Sequence, residues 1–189
     1  DLFMADGGNR NVIFTTGPVH IDKESIAELQ RVYTNWTGNT YADPKLLNLD
    51  AFDFHLSSPA GMMSNGVWVT NTALPYSPAI DFGRLGDLAY TNEPEPNGTR
   101  VNVGLYGGTA EASKSRTNAW LFAMSFNDGG NLIQTARLEW AAGNFATGAT
   151  VNVQFSTNNG ATWSNIAAGV AVTTERQVWA PTLARPHPV

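Results

Sequence analysis

Four acidic residues in one loop-rich segment are the side chains with the clearest potential for chemistry. They are Asp81, Asp87, Glu93 and Glu95. Carboxylate oxygens, together with backbone carbonyls, are the ligands that Ca²⁺ prefers in proteins. The segment therefore suggests a structural calcium site, and the alternative is a solvated loop stiffened by its prolines. A glycosidase pair would need two carboxylates facing one groove, and nothing in the sequence fixes such a groove.

The six tryptophans are candidates for a different kind of site, because an indole ring offers a flat surface on which a sugar can stack. Trp140 and Trp179 lie in strand-like stretches and are predicted to be core residues. Trp36 and Trp68 are the better candidates for exposed, sugar-stacking side chains. Sugar binding is therefore a second hypothesis.

Residues 156–163 form a compact polar motif, S-T-N-N-G-A-T-W. It resembles the Asp-box hairpin of sialidases, S-x-D-x-G-x-T-W, with Asn158 in the aspartate position. Asn-Gly is also a favoured hairpin turn. Because the motif occurs once here, we expect Asn158, Gly160 and Trp163 to staple a hairpin and to take no part in catalysis.

Other short motifs indicate no reactive centre. Residues 81–83 spell the D-F-G of protein kinases, but the companion motifs are missing. Walker A, H-E-x-x-H and G-x-S-x-G sequences do not occur. The three histidines are far apart, and His55 is predicted to lie on the outer face of a strand. The absence of cysteine excludes disulfides and thiolate metal sites. We therefore predict that the chain is not an enzyme and holds no cofactor, apart from the calcium considered above.

Composition limits the class of protein and its partners. The chain has 189 residues, only 14% of them charged, against roughly 25% in an ordinary soluble domain. Asn, Thr, Ser and Gly replace the missing charge, as is typical of turn-rich β proteins. The net charge of -5 gives no electrostatic basis for binding nucleic acid. No apolar run approaches the ~20 residues needed to cross a membrane.

The first part of the chain alternates short strand patterns with long, unequal loops. Strand-like patterns occur near residues 11–16, 52–56, 67–69 and 101–105. The helical spacing of Ile26, Leu29 and Tyr33, with Asp22 as a possible N-cap, predicts one short helix over residues 22–33. Strands this short suit the coils of a solenoid.

The second part has longer strand patterns with turn signals at regular intervals. The predicted strands cover residues 120–126, 132–140, 149–156, 163–172 and 176–179. This spacing is typical of a small β-sandwich. The sequence therefore predicts an all-β protein with two domains, residues 1–115 and 116–189.

Several motifs in the first part carry a family resemblance. They are A-D-P at 42–44, F-D-F-H-L-S-S-P-A-G at 52–61, S-P-A-I-D at 77–81, N-E-P-E-P-N-G at 92–98 and N-V-G-L-Y-G-G-T at 102–109. Their order and spacing resemble the last coils of secreted bacterial right-handed parallel β-helix proteins of the pectate-lyase-like type, over about residues 40–115. Lys45, Leu46 and Phe82 depart from the usual pattern. Residues 138–181 are similar to small Ig-like β-sandwich modules of extracellular bacterial proteins.

These resemblances imply terminal β-helix coils followed by an Ig-like sandwich, in the C-terminal piece of a longer bacterial protein outside the cell or on its surface. The first residue is Asp1, which suggests processing or truncation. A coil must stack on a neighbour to bury its face. We therefore expect a structural or adhesive protein that associates with itself or with other extracellular proteins through exposed β edges, as in a surface or matrix fibre. The alternatives are the non-catalytic tail of a secreted polysaccharide lyase or glycosidase, and a carbohydrate-binding module that takes polysaccharide as its partner.

Overall fold

The computed structural model describes residues 2–3, 12–16, 19–23, 30, 37–127 and 135–180. In this part of the chain it contains thirteen strands and two short 3-10 helices. The strands are β1 Leu2–Phe3, β2 Val12–Thr16, β3 Val19–Lys23, β4 Thr40–Tyr41, β5 Leu46–Asn48, β6 Asp53–Leu56, β7 Met62–Ser64, β8 Val67–Val69, β9 Trp120–Ala123, β10 Ala136–Gly143, β11 Thr150–Phe155, β12 Ser164–Ala171 and β13 Arg176–Trp179. The 3-10 helices are Leu88–Asn92 and Val172–Thr174. The prediction of an all-β protein is confirmed.

The strands form small sheets of two or three members. The antiparallel pairs are β2–β3, β5–β6, β7–β8 and β11–β12, and β10 lies between β9 and β13 in an antiparallel three-stranded sheet. One pair is parallel: β1 runs beside β4, with Leu2 opposite Thr40. All five strands predicted in the second part of the chain are found, β13 with the predicted ends and the other four with shifted ends.

The predicted start of the helix at Asp22 is wrong. Asp22 lies in β3, opposite Ile13 of β2, so the pairing of this hairpin prevails over the N-cap signal. Gln30 has helical backbone geometry, and residues 24–29 and 31–33 of the predicted helix lie outside the described residues. No helix in the described ranges is both long enough and apolar enough to span a bilayer.

Residues 101–105 do not form the predicted strand, although they run beside residues 79–83. The Val103 N–H donates to the Ala79 carbonyl at 2.9 Å and the Gly83 N–H to the Val101 carbonyl at 2.8 Å. Between these two bonds, the Asp81 N–H donates to the Asn102 side chain at 2.9 Å. A side chain therefore takes the place of a ladder carbonyl, and the pairing stays irregular.

Five buried serines satisfy backbone carbonyls and one carboxylate where no ladder exists. Each of the five hydroxyls donates one hydrogen bond of 2.6 Å. The pairs are Ser57 to Pro75 O, Ser58 to Lys114 O, Ser77 to Pro44 O, Ser113 to Leu56 O, and Ser115 to Asp81 Oδ1. A buried carbonyl without a partner is costly, so these short bonds allow loops to lie in the interior. The serines connect segments that are far apart in sequence.

Two apolar clusters form the core. The first comprises the buried residues Leu56, Ala79 and Ile80. The second comprises Phe82, Met124 and Ala141, and so joins the first part of the chain to β10 of the second part. The interior is therefore continuous across the predicted boundary near residue 115.

Aromatic contacts organise the second part of the chain. Trp140 is buried, as predicted, and its indole N–H donates to the Val172 carbonyl at 2.8 Å. Trp179 is partly buried, and its ring lies 4.9 Å from that of Phe155. This contact joins β13 of the three-stranded sheet to β11 of the neighbouring ribbon.

Candidate functional site

Asp81 is the centre of a buried polar cluster. It follows the tight segment 77–80 with a left-handed backbone (φ 59°), and only 1% of its surface is exposed. Its Oδ1 accepts the hydrogen bond from Ser115, whereas its Oδ2 has no partner. Burial raises the pKa of the Asp81 carboxyl, and the Ser115 hydroxyl and the charges of Arg116 and Arg100 oppose this rise.

Glu93 is a second buried carboxyl, 5% exposed, and it follows the 3-10 helix Leu88–Asn92. Its Oε1 accepts the backbone N–H groups of Asn102 at 2.8 Å and Gly108 at 2.7 Å, and its Oε2 has no partner. Burial raises the pKa of Glu93, the two backbone donors oppose that rise, and the negative charge of Asp81 adds to it. Glu93 therefore holds the turn of residues 102–108 in place.

Asn102 connects the two carboxyls to the rest of the cluster. Its side-chain oxygen accepts the Asp81 N–H, its side-chain nitrogen donates to the Ser113 carbonyl at 2.6 Å, and its own N–H reaches Glu93. Three segments of the chain therefore meet at one amide. We refer to Asp81, Glu93, Asn102, Ser115 and Arg116 as the carboxylate cluster.

Two arginines supply positive charge near Asp81. The Arg116 guanidinium lies 4.9 Å from the ring of Tyr76 and 5.1 Å from the ring of Trp120. Burial lowers the pKa of Arg116, and the negative charge of Asp81 opposes this effect. Arg100 pairs with Glu175 at 2.6 Å and so ties the loop to the segment before β13.

A cavity of about 430 Å³ adjoins the carboxylate cluster. Asp81, Arg100 and Trp120 form part of its wall, and the turn of residues 142–149 forms another part. A second cavity, of about 760 Å³, lies on the other side of Leu85, Arg100 and Glu175, which line both. Glu93 lines neither, so the two carboxyls of the cluster do not face one common groove.

The four predicted calcium ligands are not brought together as a set. Asp81 and Glu93 interact electrostatically, whereas Asp87 accepts the Ala89 N–H at 3.0 Å and caps the 3-10 helix. Glu95 is exposed. Within the described ranges, no group of three or more His, Asp or Glu side chains is arranged to hold a metal ion. The structure therefore adds no support to the calcium hypothesis.

The two predicted sugar-stacking residues differ in what can be said of them. Trp36 lies outside the described residues. Trp68 is exposed on β8, with the Lys114 ammonium 5.4 Å from the centre of its ring. The cation occupies part of the ring surface that a sugar would need.

The predicted hairpin staple has a closed set of hydrogen bonds between β11 and β12. Asn158 Oδ1 accepts the Ser156 hydroxyl at 3.0 Å and the Thr162 N–H at 2.9 Å. The Gly160 N–H donates to Ser156 Oγ at 2.8 Å. Trp163 is 59% exposed and lies beside Gly160. All three of these hydrogen bonds stay inside the turn, which is what a structural motif requires.

The predicted exposure of His55 is wrong, because the ring is buried between neighbouring segments. It stacks on Tyr106 with ring centres 3.7 Å apart and planes inclined by 3°. Its Nδ1 lies 2.6 Å from Asp53 Oδ1, and its Nε2 lies 3.6 Å from Glu111 Oε2. Alternation along β6 predicts an outer face, but it cannot show that residues 104–111 cover that face.

Comparisons with known proteins add no further assignment: no family model matches the chain, and neither does any curated protein or solved structure. The carboxylate cluster and the cavity beside it are features that the sequence did not reveal as a unit. Asp81 and Glu93 are predicted site residues, and Asn102 lies in one of the family motifs with no role assigned to it, whereas Ser115 and Arg116 lie in none of the motifs.

Proposed function

We propose that this chain is a non-catalytic structural or adhesive part of a bacterial extracellular or cell-surface protein, and that copies associate through the open edge of β8. The observation that carries this proposal is the exposure of the whole strand. Val67, Trp68 and Val69 are 62%, 40% and 37% exposed, so both faces of β8 are in solvent. Because β8 covers no core, it is available to pair with a strand of another copy.

The turn geometry identifies the backbone groups that are free to pair. Asn65 and Gly66 both have positive φ, 51° and 75°, which is the pattern of a type I′ two-residue turn. In such a hairpin the pair next to the turn, Ser64 and Val67, exchanges hydrogen bonds, and the next pair, Met63 and Trp68, does not. The N–H and C=O of Trp68 therefore point outward, and β8 has no second strand partner among the described strands.

The strand β8 itself carries none of the features that normally prevent association, and the charge that lies against it is the Lys114 ammonium over the Trp68 ring. Residues 56–80 contain no charged side chain, and β8 itself holds no proline. Native edge strands are usually protected by charges, prolines or bulges. A strand with no charge of its own and with an outward N–H and C=O favours a second copy of the same hairpin as its occupant, by strand addition.

The non-catalytic part of the proposal is supported by how the buried polar groups are used. Asp81 accepts from Ser115, and Glu93 accepts from two backbone amides. These bonds fix loops, whereas a catalytic acid or base must face a substrate. The proposal includes terminal β-helix coils and an Ig-like sandwich. Among the described strands one pair, β1–β4, is parallel, as pairs between stacked coils would be, and the contact between Phe155 and Trp179 brings β11 and β13 together as in two packed sheets.

The proposal is tested by varying the edge and measuring the average mass by sedimentation equilibrium over a range of concentrations. Trp68→Ala keeps the outward N–H, and Trp68→Pro removes it at a position where an edge strand tolerates proline. We expect wild type to associate, and we expect W68P to associate at least fivefold more weakly than W68A. A wild type that stays monomeric, or equal association by W68A and W68P, would contradict the proposal.

A charge variant gives a second, matched comparison. Val67→Lys with Val69→Lys places repelling charges on the edge, and Leu105→Lys changes a similarly exposed residue (68%) that lies in a turn. We expect the double variant to lose association and L105K to retain it. An equal loss of association in the double variant and in L105K would indicate a general effect of added charge and would contradict association through β8.

A further inference from the structure

We propose that the outward face of the β11–β12 ribbon binds a neutral glycan chain, with the ring of Trp163 as its stacking surface. This binding goes beyond association through β8 and is measured separately, so either can fail without the other. Trp163 is 59% exposed, more than any other tryptophan among the described residues. It stands at the start of β12, directly after the hairpin turn.

The ring of Trp163 is accessible to a ligand. Its neighbour in the turn is Gly160, which has no side chain, and even a Cβ built there would lie 3.5 Å from Trp163 Cζ2. Among the described residues the indole N–H has no hydrogen-bond partner. No cation of the described residues lies over this ring, in contrast to Trp68 and Trp120. A pyranose can therefore stack its C–H face on this indole and offer a hydroxyl to the indole N–H.

Two exposed amide side chains lie close to this ring on the same ribbon. Gln154 and Asn165 are opposite residues of β11 and β12, and Gln154 Nε2 donates to Asn165 Oδ1 at 2.8 Å. This cross-strand bond holds both amides in place and leaves Gln154 Oε1 free to accept and Asn165 Nδ2 free to donate. Asn165 follows Trp163 by two residues, so the alternation of an extended chain places both side chains on one face.

The outward face of β11 continues this polar row. Thr150, Asn152 and Gln154 are exposed and alternate with partly buried apolar residues. Asn152 Oδ1 accepts the Gly169 N–H at 3.0 Å, which holds this amide as well and leaves its Nδ2 free to donate. Side chains that are already held in place lose little entropy when a ligand binds. The row therefore suits successive hydroxyl groups of one extended sugar chain.

The charge of the ribbon favours a neutral ligand. The chain has no charged residue between Glu139 and Glu175, and both of these lie outside β11, β12 and the turn that joins them. A carboxylated sugar would find no cation on the ribbon to balance its charge, and the net charge of -5 would repel it. A neutral sugar meets neither cost, because the amides and the indole interact with hydroxyls and C–H groups.

The test is a titration of the ¹⁵N-labelled chain with neutral tetrasaccharides of glucose, xylose and mannose, followed through the indole N–H signals. The signal of Trp163 is the one that disappears in Trp163→Phe. We expect at least one tetrasaccharide to shift this signal in a saturable manner, and the tetramer of galacturonic acid to bind at least fivefold more weakly. The proposal is overturned if no neutral tetrasaccharide shifts the signal, or if the acidic tetramer binds as tightly.

Variants measured by isothermal titration calorimetry locate the stacking surface. We expect Trp163→Ala to weaken binding at least tenfold, and Trp163→Phe, which keeps a stacking ring, to weaken it less. Trp68→Ala removes the other strongly exposed indole and should leave binding unchanged. Binding by W163A that equals wild type, or an equal loss in W68A, would overturn the proposal.

A second pair of variants tests the amides and does not alter the turn. We expect Gln154→Ala to weaken binding at least threefold, because it removes a fixed acceptor and releases the amide of Asn165. Asn118→Ala removes an exposed amide outside the ribbon and should leave binding unchanged. Equal affinities of Q154A and N118A would contradict the assigned face.

Discussion

The Asp81 carboxyl determines which residue can occupy position 98. Gly98 has a positive φ of 61°, and a Cβ built there would overlap the Asp81 carboxylate, which is buried and held by Ser115. Gly86 also has a positive φ, 84°, but nothing lies within 4 Å of its Cβ position. Only the first glycine is therefore required by packing as well as by backbone conformation.

Substituting these two glycines separates the two effects. We expect Gly98→Ala to lower the free energy of unfolding by about 3 kcal/mol, through steric overlap and backbone strain together. Gly86→Ala should cost about 1 kcal/mol, through strain alone. Urea denaturation measures both values. Equal costs would show that the Asp81 carboxyl moves aside and is not fixed by its cluster.

The two buried carboxyls predict a pH dependence of stability. The folded protein raises the pKa values of Asp81 and Glu93 above their ordinary values of 3.8 and 4.5. Between the ordinary and the raised values, the folded state binds more protons than the unfolded state, so the contribution of these groups to stability falls as pH rises. At still lower pH their contribution is fully present.

Asp81→Asn removes the share of this pH dependence that belongs to Asp81. Relative to D81N, wild type should be most stable at low pH and should lose that advantage as pH rises through the raised pKa. Urea denaturation of both proteins at a series of pH values measures the difference. A difference that is constant, or that grows with pH, would contradict the assigned direction.

At the level of elements, the buried serines replace the hydrogen bonds of missing strands. Ser113 donates to the Leu56 carbonyl at 2.6 Å in the interior, whereas Ser164 is exposed at the start of β12. We expect Ser113→Ala to cost about 1–3 kcal/mol because it leaves a buried carbonyl without its donor. Ser164→Ala should change stability by less than about 0.5 kcal/mol. Thermal or urea unfolding measures both costs. Similar costs for Ser113→Ala and Ser164→Ala would show that water can replace the Ser113 hydroxyl as donor to the Leu56 carbonyl.

The sequence predicted regular elements better than irregular ones, for a physical reason. The strands near 52–56, 67–69 and in the second part of the chain follow from alternation and turn residues, which are local signals. Residues 101–105 alternate in the same way but are not a strand, because Asn102 and Glu93 take the ladder bonds. The environment of His55 was missed likewise, since Tyr106 reaches it from about fifty residues away in the chain.

At the scale of the whole molecule, Phe82 packs with Met124 and Ala141 across the predicted boundary near residue 115. The pair of Arg100 and Glu175 and the bond from Thr40 Oγ1 to the Met124 carbonyl, 2.8 Å, join the same two parts. Composition indicated two segments, but composition cannot show that they share a core.

This shared core predicts one cooperative unfolding transition. Tryptophan fluorescence and far-ultraviolet circular dichroism should give coincident midpoints. Phe82→Ala should shift both midpoints together and lower the free energy of unfolding by about 3–5 kcal/mol. Two separated transitions, or a loss of stability in Phe82→Ala that is confined to one of them, would show that the two parts of the chain fold independently.

The measurement that tests the central claim most directly is hydrogen exchange at Trp68. If copies pair along β8, its outward N–H becomes a hydrogen-bond donor in the assembly. We predict that exchange of this amide slows as protein concentration rises, while the amide of the exposed residue Leu105 exchanges at an unchanged rate. A Trp68 amide that exchanges equally fast at all concentrations, in a sample whose average mass does increase, would place the association elsewhere and contradict the account.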